Sequence, residues 1–157
     1  MIDELHRRME ILLAKQDLAE LCAAYSRAVD RLDEAALVEL FHPDAIIDSG
    51  VLRGDPQFFA REFAAWVRRH ARVVYHAVGN HCFAVDGDKA TGESYVIAVA
   101  RLLEGHDTER DVLTAGRYLD CFERRDGKWR FSERRFVLDH SIALNLTSPR
   151  SAASDAP

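Results

Sequence analysis

Residues 25–33, YSRAVDRLD, set a phenol and a carboxylate, Tyr25 and Asp30, five residues apart along an apolar helical pattern. Further on, YHAVGN places His76 on a stretch whose neighbours are nearly all apolar. These are the residue types of proton transfer. A carboxylate that accepts the Nδ1–H of an imidazole fixes its tautomer, leaves Nε2 as a base and stabilises the imidazolium that forms. The pattern alone leaves each residue with two readings. Asp30 is either a water-facing aspartate or the partner of a buried histidine. His76 is either a satisfied core residue or a base, and Tyr25 either a core aromatic with its hydroxyl at the rim or a proton donor. On an ideal helix Tyr25 and Asp30 lie about 140° apart, so both reach one cavity only if it wraps the helix end. Asn80, four residues after His76, returns to the same strand face, where it orients a ligand or bonds backbone. His81 points to the other face by parity, which argues against a His76/His81 metal pair. Arg134 alternates with Arg135 along a later strand, so one of the two faces inward.

Elements of two periods must position these groups. Leu18, Leu21, Cys22, Tyr25, Ala28, Val29 and Leu32 recur at three- and four-residue steps, which predicts a helix face turned to a core. The pattern predicts a short amphipathic helix over residues 3–14, a second capped by Asp17 and Glu20 and running to about Leu32, and a third from Asp33 that stops before HPDA. AIIDS reads as a short strand. Asp55 and Pro56 form an N-cap and first-turn proline, opening a helix that carries Phe58, Phe59, Phe63, Trp66 and Val67 inward. From Val73 the period falls to two, with one pair of long strands around DGDK and another around RRDGK. Helices followed by four long antiparallel strands predict an α+β fold. The N-terminal helices pack on one face of a curved, mostly antiparallel sheet, a cone-shaped half-barrel whose interior is an apolar pocket for a small molecule. One domain is expected over 1–146, with TSPRSAASDAP at 147–157 as a flexible C-terminal tail.

Composition narrows the classes. A chain of 157 residues, 48% hydrophobic, builds one core rather than two. A net charge of -5, with arginines scattered among acids, gives no footprint for nucleic acid. No apolar run approaches a membrane span and the N-terminus lacks a signal-peptide core, so no membrane partner and a cytoplasmic location are expected. Cys22, Cys82 and Cys121 are odd in number and far apart, so they are expected to be reduced core residues, not a disulfide framework or zinc knuckle. The chain has no GxGxxG, P-loop, GxSxG or HExxH motif. The expectation is therefore no metal and no cofactor, only proton transfer in a water-poor pocket.

Three stretches, DLAELCAAYSRAVDRLD, YHAVGNHCFAVDGDKATGESYVIA and GRYLDCFERRDGKWRFSERR, in that order and spacing, resemble the SnoaL-like branch of the nuclear transport factor 2-like superfamily over roughly residues 5–142. Members that it resembles include cofactor-free lyases: hexachlorocyclohexane dehydrochlorinase, scytalone dehydratase and bile-acid 7α-dehydratase. The resemblance implies a cone-shaped barrel, a homo-oligomer with a trimer favoured over a dimer, and a buried Asp–His pair falling on Asp30 and His76. Tyr25 matches a tyrosine of the bile-acid enzyme, where the dehydrochlorinase has a lysine that this chain lacks. Arg134 matches a cavity arginine of the dehydrochlorinase. By family position Tyr118, Val96 and Ala98 are cavity wall, and Trp66 and Asn80 complete the expected substrate contacts. The implied function is a dehydratase or related elimination on a small, largely apolar, aromatic or alicyclic substrate. His76 removes a proton, Asp30 holds the imidazole, and Tyr25 or Arg134 assists the leaving group. An isomerase or polyketide-type cyclase uses the same base without releasing a leaving group. A ligand-binding or oxygenase-subunit-like protein with a relic pair is the non-catalytic alternative.

Overall fold

A computed structural model describes residues 2–104 and 108–144; the expected tail at 147–157 lies outside them. The chain opens with α1 (Ile2–Arg31), one continuous helix instead of the two expected. Asp17 and Glu20 lie within it, because the segment contains no glycine or proline and Ala14, Lys15 and Gln16 are good helix formers. It ends sharply. Leu32 adopts a left-handed φ of 53°, its N–H reaches Val29 O at 3.3 Å, and the Asp33 N–H reaches Ala28 O at 3.0 Å. This closing motif places Asp30 in the last turn. Asp33 then caps α2 (Glu34–Glu39) by accepting from the Ala36 N–H at 3.0 Å.

Strand β1 (Phe41–Asp48) is longer than the expected AIIDS and takes in His42, Pro43 and Asp44. Pro43, which has no N–H to give a ladder, sits where pairing to the neighbouring strand is interrupted between Phe41 and Ile46. After the short β2 (Arg53–Gly54), Asp55 caps α3 (Pro56–His70) by accepting from the Phe58 N–H at 2.9 Å. Then come four long strands, β3 (Ala71–Asp86), β4 (Lys89–Leu103), β5 (Glu109–Arg125) and β6 (Lys128–Leu144). Gly87 at φ 58° and the pair Asp126 and Gly127 at 51° and 75° make the tight turns.

The sheet order is β2-β1-β6-β5-β4-β3, antiparallel throughout except for the β1–β6 pair, and it curves without closing. Helix α1 lies across β3 and β6. The core between helices and sheet includes Leu18, Cys22, Val29, Phe41, Phe59, Phe122 and Phe131, all almost fully buried. In β3, Gly79 pairs with Tyr95 and Cys82 with Glu93, so Asn80 and His81 together face the single residue Ser94. That bulge, with Asn80 at φ 49°, exchanges the inward and outward faces of the strand beyond it. Among the described residues no helix is long and apolar enough to cross a membrane.

Candidate active site

Beneath the helices, the concave face of the sheet bounds a cavity of about 430 Å³. Its walls are mostly apolar: Val29, Ile47, Phe59, Phe63, Val96 and Phe136 among others. Two polar clusters break this surface.

The first joins α1 to β3. Asp30 Oδ1 accepts from His76 Nδ1 at 2.6 Å, and Asp30 Oδ2 accepts from the His76 backbone N–H at 3.2 Å. One carboxylate thus holds both the ring and the strand that carries it. Both side chains are largely buried, at 15% and 19% exposure. The engaged Nδ1 leaves Nε2 as the ring's free nitrogen on a side chain that lines the cavity. Asp30 sits at the negative end of the α1 dipole, so helix and carboxylate both favour a positive charge arriving on the imidazole. Tyr25 lines the cavity directly whereas Asp30 touches His76, which lines it, so the two need not share a helix face.

The second cluster crosses from β5 to β6. Asp120 and Arg134 are directly paired in register, and Arg134 Nε and Nη2 each donate to a different Asp120 oxygen at 2.8 Å. Arg134 is 1% exposed and Arg135 is exposed, which settles which arginine turns inward. The guanidinium carbon lies 4.1 Å from the ring centre of Tyr25 and 4.2 Å from those of Tyr118 and Phe131. Nη2 also approaches Cys22 Sγ at 3.6 Å, while Nη1 has no hydrogen-bond partner among the described residues. Burial works against the charge on Arg134, but the Asp120 carboxylate outweighs it, and the group is held above its ordinary range. Burial pushes the Tyr25 phenol up to about 12 against the opposing pull of Arg134. Tyr118 is raised well above its usual value, first by burial and then by Tyr25 beside it. At neutral pH this wall therefore presents protonated phenols and a fixed cation, all hydrogen-bond donors.

Tyr118, Val96 and Ala98 line the cavity, and Trp66 joins them at the rim although it is 45% exposed. Asn80 does not: the bulge turns it outward to solvent. The same bulge brings His81 to the inner side, contrary to strand parity, where its Nδ1 meets Ser94 Oγ at 2.8 Å and its ring stacks on Phe83. Burial lowers the His81 pKa. Among the described residues no three His, Cys, Asp or Glu side chains gather as a metal site. Sequence reasoning passed over Asp120, Thr114 and Asp48. Asp120 had a signal, an acid at an inward position of β5 between Tyr118 and Phe122, but its partner is not predictable before strand register is known. Cys82, expected in the core, is exposed; Cys22 is buried and all three cysteines are free.

The SnoaL-like domain family matches residues 10–135. The γ-hexachlorocyclohexane dehydrochlorinase of Sphingobium indicum is 26% identical over 140 residues, 87% of each chain. The structure of a hexachlorocyclohexane dehydrochlorinase from Novosphingobium barchaimii superposes with a TM-score of 0.79 at 24% identity, covering 88% of this chain and 94% of that one. A candidate scytalone dehydratase from Novosphingobium aromaticivorans superposes with a TM-score of 0.73 at 19% identity, covering 87% and 91%. At such identities the two superpositions speak for the fold alone.

Proposed function

The chain belongs to the SnoaL-like domain family, and from that premise we propose that it is a cofactor-independent lyase acting on a small, largely apolar molecule. The observation that carries this reading is the 2.6 Å contact between Asp30 and the Nδ1 of His76, with the imidazole on the wall of an apolar cavity. His76 Nε2 takes a proton from an acidic carbon of the substrate. Asp30 stabilises the resulting imidazolium, assisted by the C-terminal dipole of α1. The electron pair left on carbon forms the new double bond as a hydroxide or halide departs from the adjacent carbon. Arg134, with a spare N–H at Nη1, and the protonated Tyr25 stand on the same cavity as donors for that departing group. Water-poor surroundings strengthen each of these charge interactions.

The dehydrochlorinase relative supplies the first substrate to try. Incubation with γ-hexachlorocyclohexane, and in parallel with cyclic β-hydroxy ketones, should release chloride or water from a member of the panel. His76→Ala should abolish the release while keeping the melting temperature. Product that keeps the substrate's composition would make the enzyme an isomerase, and turnover that survives His76→Ala would remove the mechanism.

A homotrimer is part of the same proposal. The outer face of the sheet exposes Tyr75, Tyr95 and Ile97, each about half exposed, beside the ion-paired Arg117, Asp139 and Glu93. An apolar centre with a charged rim suits a face shared between copies. Light scattering that gave a monomer mass at micromolar concentration would remove it.

A further inference from the structure

Inward side chains of neighbouring strands stand in one row across the floor of the cavity. His76 on β3 pairs with Ala98 on β4, and Ala98 pairs with Thr114 on β5. Directly opposed residues of antiparallel strands point to the same side of a sheet, and all three of these line the cavity. His76 and Thr114 are two strand spacings apart, about 9.6 Å between backbones. Between them stands only the methyl group of Ala98. A single ring laid over that methyl meets the imidazole at one edge and the threonine hydroxyl at the other.

Other polar side chains of the wall are engaged elsewhere. Asp48 Oδ1 accepts from the Gly50 N–H at 2.9 Å and Ser49 Oγ accepts from the Leu52 N–H at 3.1 Å, so both shape the turn between β1 and β2. Tyr25 and Tyr118 gather around Arg134. Thr114 belongs to neither group. Along β5 it precedes Tyr118 by four residues, a rise of roughly 13 Å. Gly116 is the inward position between them, and a Cβ there would lie 2.6 Å from Phe136 Cε2. The Phe136 ring therefore lies over the floor at Gly116 as an apolar partition between Thr114 and the Arg134 cluster. Whatever meets the Thr114 hydroxyl is a different part of the ligand from the part that meets those donors. A valine has the same shape and suits a strand as well, so the hydroxyl is what this position adds to an apolar floor.

We propose that Thr114 holds an oxygen substituent, hydroxyl or carbonyl, on the side of the substrate ring away from His76, and so selects oxygenated ring compounds over their unoxygenated analogues. The proposal rests on the lyase reading for its premise that substrate lies against His76, but binding tests it without turnover. The probes are 2-naphthol and naphthalene, which share a ring system and differ by one hydroxyl. Each is titrated by calorimetry into wild type, Thr114→Val and Thr114→Ser, with thermal melts to show that the fold is kept. Wild type should hold 2-naphthol roughly tenfold more tightly than naphthalene, the contribution of one neutral hydrogen bond. Thr114→Val should erase that preference and Thr114→Ser should keep it. A preference that survives Thr114→Val overturns the proposal, because another group then holds the oxygen. So does a preference lost equally in Thr114→Ser, or a wild type that binds the two probes equally or not at all. The expected pattern in a protein that turns over no member of the substrate panel leaves the Thr114 assignment standing while the lyase reading falls.

Discussion

Removing the Asp120 carboxylate probes the polar cluster without needing a substrate. The side chains of Asp120 and Arg134 are 0% and 1% exposed, and the pair is joined by two 2.8 Å hydrogen bonds. In Asp120→Ala the guanidinium loses both and, among the described residues, retains only the 3.6 Å approach to Cys22, with Nη1 already unpartnered there. Breaking a buried pair from one side costs about 3–5 kcal/mol. The three aromatic rings around Arg134 keep their contacts, so their attraction cancels in the difference. Arg134 also lies on a cavity, which gives water a route to the exposed charge. The lower end applies, about 3 kcal/mol, and in a domain of this size it lowers Tm by roughly 6–12 °C. Calorimetry together with urea unfolding followed by tryptophan fluorescence measures both quantities. Asp120→Leu combined with Arg134→Met removes the charges together and should restore most of the loss, since apolar replacement of a whole buried pair is often neutral or stabilising. A single variant melting within 2 °C of wild type, or a double variant no better than the single, would refute the argument.

Asp30→Asn keeps the size of the side chain but offers an amide N–H to Nδ1, favouring the wrong tautomer; turnover on the substrate found should fall at least a hundredfold, with Tm nearly unchanged, and near-normal turnover would sink the pair as a catalytic unit. Tyr25, 4% exposed, has its phenol raised by burial from 10.0 to about 12, so its contribution to stability is complete below pH 10 and is lost as pH rises through about 12. Tyr25's share over that window is about 3 kcal/mol; Tyr118, also raised by burial, adds its own loss, so in urea titrations Tyr25→Phe should make the decline shallower by about 3 kcal/mol without removing it. Native thiol labelling with an aromatic disulfide should modify Cys82 quickly and leave Cys22 unreacted until the protein is denatured; rapid loss of the Cys22 thiol in the folded protein would contradict its burial.

Features that depend on a few neighbouring residues were determined by the sequence itself. The apolar stripe from Leu18 to Val29, the Asp55–Pro56 cap, and the strand pairs around Gly87 and Gly127 rest on helical pitch, local hydrogen bonds and left-handed turn geometry, all of which residue order specifies. The order of helices before strands likewise determined the α+β class. Composition and spacing left Asp30 and His76 as separate residues, and only the family resemblance suggested their pairing. Tertiary structure alone decided contacts between distant segments. Ser94 on β4 faces both Asn80 and His81, so the register of another strand sends Asn80 to solvent and His81 inward against simple alternation. Asp120 meets Arg134 because β5 and β6 align at that rung, and Cys82 lies at the surface because the bulge precedes it. Alternation within a strand is a local property, but its phase is set by the partner strand. The phase determines which side chains reach the cavity.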